Sequence, residues 1–146
     1  MSADTLVLVD TNVLVYAFDE TEPERRRIAE TVISELMNED RIRLSTQVLQ
    51  ELYVTMTRKV GRPWTPDDAL TLMEDLSAWP IVVVDTSLIR EAILLSRDSQ
   101  ISFWDSLIVI AAAECGASLL YTEDLTHGQT LRGVRIFNPF HRKGKP

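Results

Sequence analysis

The run Leu6-Val7-Leu8-Val9-Asp10-Thr11-Asn12-Val13-Leu14-Val15-Tyr16 decides how the rest of the chain is read. Four consecutive apolar residues at 6–9 are strand-sized and lack polar alternation, the pattern of a strand covered on both faces. An acid closes the run, and the apolar positions from 13 to 18 then suit a short helix. A buried strand that ends on a carboxylate and turns at once into a helix points to an α/β sheet. In such sheets ligands collect in the crevice outside the carboxyl ends of the parallel strands.

Outward from this unit, the alternation of short β-branched runs with longer helical stretches continues. A polar corner at 19–22 leads to Pro23, suited to the first turn of a helix running to about 38. A short strand is expected at 41–44, and Ser45 or Thr46 can cap a third helix. In that helix Val48, Leu49, Leu52, Tyr53, Met56 and Val60 recur at helical spacing, until Gly61, Arg62 and Pro63 end it. Thr65, Pro66, Asp67 and Asp68 announce a fourth helix that closes before Pro80. A second buried strand follows at 81–84 and a fifth helix at 87–98. The sixth helix, from Ser102 through Ala113, has almost no polar interruption, and such all-round apolarity means burial. Gly116 stops it, 118–121 is a third central strand, a polar turn with Gly128 follows, and 134–137 is the last strand. The expected fold class is α/β with a central parallel sheet.

The length of 146 residues, with 45% hydrophobic and 25% charged residues, corresponds to one globular domain with a core of its own. No apolar stretch reaches the ~20 residues that cross a bilayer, and no basic region precedes a long apolar run at the start. No membrane association is expected, and the cytoplasm is the simplest compartment. The single cysteine, Cys115, reads as a small thiol in an apolar helix. Two histidines, His127 and His141, leave little for histidine-based metal or triad chemistry, and no G-x-S-x-G or G-x-G-x-x-G pattern occurs. Catalysis must use carboxylates. The net charge of −7 argues against a phosphate-backbone partner, except where clustered carboxylates hold divalent cations and reverse the local sign.

Four acids stand where hydrophobic elements begin or end. Asp10 closes the first strand; it could serve as a helix cap, although Thr11 and Asn12 cap equally well. Glu51 lies in the third helix just outside the apolar stripe, roughly 60° round the wheel from Val48 at ~100° per residue. On periodicity alone it is solvent-exposed. Asp105 follows Phe103 and Trp104 in the first turn of the sixth helix, where the positive end of the helix dipole favours a carboxylate; it could equally be the reciprocal member of a cap with Ser102. Asp124 follows the strand at 118–121, at the same sheet end as Asp10, with Glu123 competing for the role. Asp85 also ends an apolar run, but Thr86 and Ser87 open a helix at once, so it is read as a turn or cap residue. Four converging carboxylates repel one another and raise each other's pKa values, a cost that a hard divalent ion removes. Magnesium or manganese suits all-oxygen ligation, whereas zinc calls for His or Cys.

The run from Val9 to Tyr16, the pair Gln50-Glu51, Phe103-Trp104-Asp105-Ser106-Leu107-Ile108 and Thr122-Glu123-Asp124-Leu125 together resemble the PIN-domain ribonucleases, especially VapC-type toxins. The ending, with Gly128, Gly133-Val134 and Asn138-Pro139-Phe140, is similar to one VapC-like subgroup. The resemblance implies a three-layer α/β/α sandwich over residues 1–140, with 141–146 a basic tail. It places the acidic quartet at Asp10, Glu51, Asp105 and Asp124, with Asn12 or Thr11 as polar helper and Thr122 as a supporting group. It further implies Mg²⁺ or Mn²⁺ dependence, RNA as substrate, frequent homodimers, and a VapB-like antitoxin that wraps the toxin and blocks the site. Antitoxin binding would leave apolar residues of the second to fourth helices beyond what the core absorbs, with Tyr53 and Trp64 as candidates. Basic residues available to RNA are Arg25, Arg26 and Arg27, then Arg58, Lys59 and Arg62, and finally Arg142, Lys143 and Lys145; the cluster nearest Glu51 is preferred.

Two other enzyme classes fit less well. A phosphoryl-transfer hydrolase with an aspartyl nucleophile usually shows D-x-D, and Asn12 stands at the second position. A receiver domain wants acidic neighbours near Asp10 and a lysine after a late strand. A PIN-like module that binds RNA or protein without cutting is the alternative from outside enzymology, and the complete acid set argues against it.

Overall fold

The structure, a computed structural model, describes residues 4–58 and 61–141. Lys59 and Val60, and the tail cations Arg142, Lys143 and Lys145, lie outside the described residues. In chain order the elements are β1 (Val7–Val9), α1 (Thr11–Tyr16), α2 (Pro23–Asn38), β2 (Ile42–Ser45), α3 (Thr46–Arg58), α4 (Pro66–Leu76), β3 (Ile81–Val82), α5 (Thr86–Ser99), α6 (Phe103–Glu114), β4 (Leu119–Tyr121), β5 (Thr130–Leu131) and β6 (Val134–Phe137). Among the described residues no helix is long and apolar enough to cross a membrane.

The six strands form one sheet in the order β3-β2-β1-β4-β6-β5. β1 sits near its middle, in parallel register with β2 (Val7 opposite Ile42) and β4 (Val9 opposite Tyr121). The unbroken apolar run has the expected cause. Val7 and Val9 point into a core shared with α1, α2, α3 and α4, while Leu8 points into a second core with α5, α6, Leu120 and Ile136. Helices cover both faces, and the architecture is the α/β/α sandwich. In α6 the buried residues run without a break from Ser106 to Ala112.

The sheet departs from a wholly parallel one at a single edge, where β5 pairs antiparallel with β6. The reading of 122–133 as turn missed β5 because two residues carry no periodicity. The hairpin turn is Arg132-Gly133, with φ of 51° and 78°. Positive φ at both central residues gives the twist a two-residue hairpin needs. The strand expected at 81–84 pairs only through Val82. Beyond it the backbone N–H of Val84 donates to Thr46 Oγ1 at 3.1 Å instead of a neighbouring strand, and Val83 is left exposed. The first helix starts at Thr11, two residues before the apolar positions suggest, because Asp10 takes the cap. Ser45 is the residue that caps α3, accepting from the Val48 N–H at 3.2 Å.

Candidate active site

The carboxyl ends of β1 and β4 lie side by side, because these strands are direct neighbours in parallel register. Their C-terminal extensions therefore enter one crevice, bounded by α3 on one side and the start of α6 on the other. A cavity of about 460 Å³ opens there, and Asp10, Asn12, Glu51, Asp105 and Asp124 all line it. The four acids singled out in the sequence thus surround one pocket although they come from four separate elements.

Asp10 forms its floor. The residue is 4% exposed, and its Oδ1 accepts the Thr11 N–H at 2.7 Å, so the capping role and the pocket position hold together. Its Oδ2 accepts the hydroxyl of the fully buried Thr122 at 2.8 Å. Burial nevertheless dominates. It raises the Asp10 carboxyl from 3.8 to about 7, against the two hydrogen bonds and with added repulsion from Asp124 and Glu51.

Asn12 ties the two strand ends together. Its Nδ2 lies 2.9 Å from Asp124 Oδ2, 3.3 Å from Thr122 Oγ1 and 3.4 Å from Asp10 Oδ2. Its Oδ1 accepts the Glu123 N–H at 3.4 Å, and Thr122 Oγ1 also accepts the Asp124 N–H at 3.1 Å. Across the pocket, the Thr11 hydroxyl donates to Glu51 Oε1 at 3.1 Å. Glu51 is therefore half-buried and partnered, where periodicity alone expects a solvent-facing side chain. Asp105 stands in the first turn of α6, its N–H donating to Ser102 Oγ at 3.0 Å. Desolvation raises the Asp124 carboxyl above its ordinary range, and the nearby charges of Asp105 and Glu123 add to the rise.

Of the two adjacent acids it is Asp124 that lines the pocket. Glu123 turns out of the pocket, accepting the Tyr16 hydroxyl at 2.7 Å and pairing with the Arg25 guanidinium. Arg25 lies over the Tyr16 and Phe140 rings, each centroid 5.1 Å away, so Glu123 belongs to a clamp that fixes the chain beyond β6. Burial first, and then the bond to Glu123, push the Tyr16 hydroxyl up to about 12. The sequence reading missed this clamp, whose members are 9–124 residues apart and share no periodicity. Asp85 caps α5 through the Leu88 N–H at 3.0 Å, as expected of it.

The basic residues divide. Arg25 is engaged with Glu123, and Arg26 pairs with Glu30 at 2.9 Å. Arg58 is exposed at the end of α3, and Arg62 is exposed in the loop that follows. Arg62 and Arg26 line a smaller cleft that shares Asp19, Thr21 and Gly61 with the acid pocket. A Cβ at Gly61 would stand 2.9 Å from Thr21 Cγ2, so a larger residue there would require the Thr21 side chain to shift.

Among the described residues no group of three His, Cys, Asp or Glu side chains stands close enough to enclose an ion by itself. The donor set still suits a hard cation. It is entirely oxygen, it holds the buried and mutually repelling Asp10, and an ion such as Mg²⁺ keeps several waters and needs only one or two carboxylates directly.

A carboxylate pocket at the parallel strand ends of an α/β/α sandwich defines a class, and the comparisons agree with it: the PIN-domain family model matches residues 7–130, and the chain belongs to that family. Within it, the chain is homologous to the VapC-type ribonuclease toxins. Ribonuclease VapC23 of Mycobacterium tuberculosis is 31% identical over 128 residues, 87% of this chain and 99% of that protein. Two solved structures share the fold at lower identity. A chain of a toxin–antitoxin complex from Klebsiella pneumoniae superposes with a TM-score of 0.70 at 17% identity, covering 93% of this chain and 99% of that one. A chain of VapBC2 from Rickettsia felis, bound to a DNA fragment from its promoter, gives 0.65 at 18%, covering 90% and 97%.

Proposed function

We propose that the chain is a metal-dependent endoribonuclease that hydrolyses RNA phosphodiester bonds, and that it acts as the toxin of a type II toxin–antitoxin pair. The observation that carries the reading is Asp10, a nearly inaccessible carboxylate with Glu51, Asp105 and Asp124 around the same cavity. Folding holds this acid in a setting that pushes its pKa to about 7, which is unfavourable unless a positive charge is part of the working state.

In this reading Asp10, Glu51, Asp105 and Asp124 hold Mg²⁺ or Mn²⁺. The bound ion supplies charge neutralisation at the phosphodiester and acidifies water beside it. Asn12 and Thr122 act as positioning residues: their hydrogen bonds fix Asp10 relative to Asp124 across the β1–β4 seam. Thr11 does the same for Glu51. Arg58 and Arg62 are assigned to the RNA backbone, with Arg62 in the cleft that continues from the pocket. Lys59 belongs to the same assignment from its place in the sequence.

The partner assignment draws on the toxin–antitoxin complexes of the relatives. Trp64 packs half-buried against the core, edge-on to Phe18 at 5.4 Å, whereas Tyr53, Val54 and Leu70 on α3 and α4 stay exposed and suit a VapB-like antitoxin. A homodimer is part of the same proposal; exposed Ile89 and Ile93, one turn apart on α5, favour an apolar contact between copies.

The test is cleavage of single-stranded RNA by the purified chain. Activity should require Mg²⁺ or Mn²⁺, stop in EDTA, and vanish in folded Asp10→Asn. Cleavage that persists in chelator, or in the folded variant, removes the mechanism; growth arrest on expression, relieved by the neighbouring gene product, tests the toxin role separately.

A further inference from the structure

Next to the acid pocket lies a second cavity of about 390 Å³, lined by Gln47, Gln50, Glu51, Val54, Thr55 and Trp104. Gln47, Glu51, Thr55 and Trp104 also line the acid pocket, so the two spaces are continuous. Two observations mark this cavity as built for a ligand. The Trp104 ring, on the residue before Asp105, is 61% exposed, against half-buried positions for Trp64 and Trp79. Gln47 is only 4% exposed, and its Oε1 is the single buried side-chain polar atom among the described residues without a hydrogen-bond partner.

The orientation of that amide follows from its other end. Gln47 Nε2 donates to the Trp104 carbonyl oxygen at 3.2 Å. A carbonyl can only accept, so the amide cannot flip, and Oε1 is left requiring a donor. A buried acceptor without a donor is costly, and a ligand that presents an N–H repays that cost on binding. The cavity wall thus pairs a flat aromatic surface with the side chain that carries a fixed, solvent-shielded hydrogen-bond acceptor, beside the place proposed for the scissile phosphate. Glu51 in its wall disfavours a phosphate there and leaves the space to an uncharged group. A planar base of a single strand has both required features, a π-face and an edge.

We propose that this cavity is a nucleobase subsite, in which a base adjacent to the cleaved phosphodiester stacks on Trp104 and presents an exocyclic amino group to Gln47 Oε1. The subsite rests on the ribonuclease reading for its substrate and adds a base preference to it. Adenine, cytosine and guanine carry such an amino group; uracil does not, and its one donor on that edge, N3–H, is set between two carbonyl oxygens that an acceptor repels. The bond from Gln47 to the Trp104 backbone also joins the helix of Glu51 to the helix of Asp105, so occupancy of the subsite is felt where the acids are held.

The experiment uses the whole chain in EDTA, titrated with tetranucleotides of A, C or U while tryptophan emission is followed, and in parallel with Mg²⁺ for cleavage of RNAs varied one position at a time. Stacking should quench emission with oligo-A and oligo-C, and the quench should be lost in Trp104→Leu. Gln47→Met should keep the quench but bring uridine to within about twofold of adenosine, from a preference of roughly tenfold, the scale of one unsatisfied buried group. Quenching that survives in Trp104→Leu, equal binding of A and U by the wild type, or unchanged cleavage-site preference in both variants overturns the subsite. A protein occupant of this groove would show as the last of these outcomes, together with loss of antitoxin binding by Trp104→Leu. Base-selective quenching without cleavage would leave the subsite standing and remove the nuclease; cleavage without base selectivity would do the reverse.

Discussion

Replacing Asp10 by Asn should make the metal-free protein more stable at neutral pH, even as it removes the proposed activity. Burial raises the Asp10 carboxyl from 3.8 to about 7, so between those values the folded chain binds more protons than the unfolded one. Stability from this group therefore falls as pH climbs, by ~1.4 kcal/mol per unit, to a penalty of about 4 kcal/mol at pH 8. An amide carries no such penalty. It still accepts the Thr11 N–H, but its NH₂ meets the Thr122 hydroxyl and the Asn12 amide where Oδ2 had accepted both, a loss of about 1 kcal/mol. The net gain is about 3 kcal/mol at pH 8, or roughly 6–12 °C in Tm for a domain of this size, and it should vanish near pH 4.5. Thermal and urea denaturation in EDTA at both pH values measure it. A variant that is no more stable than wild type at pH 8, or whose advantage is the same at pH 4.5, would show that Asp10 is not held at an electrostatic cost.

The neighbouring acids should separate by role. Asp124→Asn should reduce RNA cleavage by orders of magnitude with little effect on folding, whereas Glu123→Gln should retain cleavage within a few-fold and lose at most about 1 kcal/mol, since its Arg25 partner is partly exposed. Kinetics and denaturation of the pair check this, and equal loss of cleavage in both would reverse the assignment. Thr122→Val should cost about 1–3 kcal/mol and lower cleavage, because one hydroxyl serves Asp10, Asn12 and the Asp124 N–H; Thr122→Ser should restore both. Asp85→Ala should remove about 1 kcal/mol through its cap on α5 and leave cleavage untouched, which urea titration and an RNA assay report together.

Much of this was written in local pattern. The run 6–9 showed a strand covered on both faces, and Asp10 marked its ligand-facing end, because burial on two sides and the end of a strand both leave contiguous traces. The pocket was legible as a set of residue types and positions. Its internal wiring was not. That Asn12 bridges Thr122 and Asp124, or that Tyr16 and Arg25 draw Glu123 aside, depends on β1 pairing with β4 across more than 100 residues, and no window of sequence contains that contact. The short strand β5 stayed hidden for the opposite reason: two residues are too few to carry a period. Gln47 was invisible as well. A glutamine on a helix reads as surface, and no local pattern shows that it reaches the Trp104 carbonyl 57 residues away.

The order in which the acids are synthesised has its own outcome. Asp10 emerges from the ribosome more than 100 residues before Asp124, and they meet only when β4 slots in beside β1. A growing polypeptide carries three of the four carboxylates with no finished pocket to put them in. If the protein cuts RNA, no nascent chain that stops short of β4 can do so, and the delay needs no inhibitor, only the topology of the sheet.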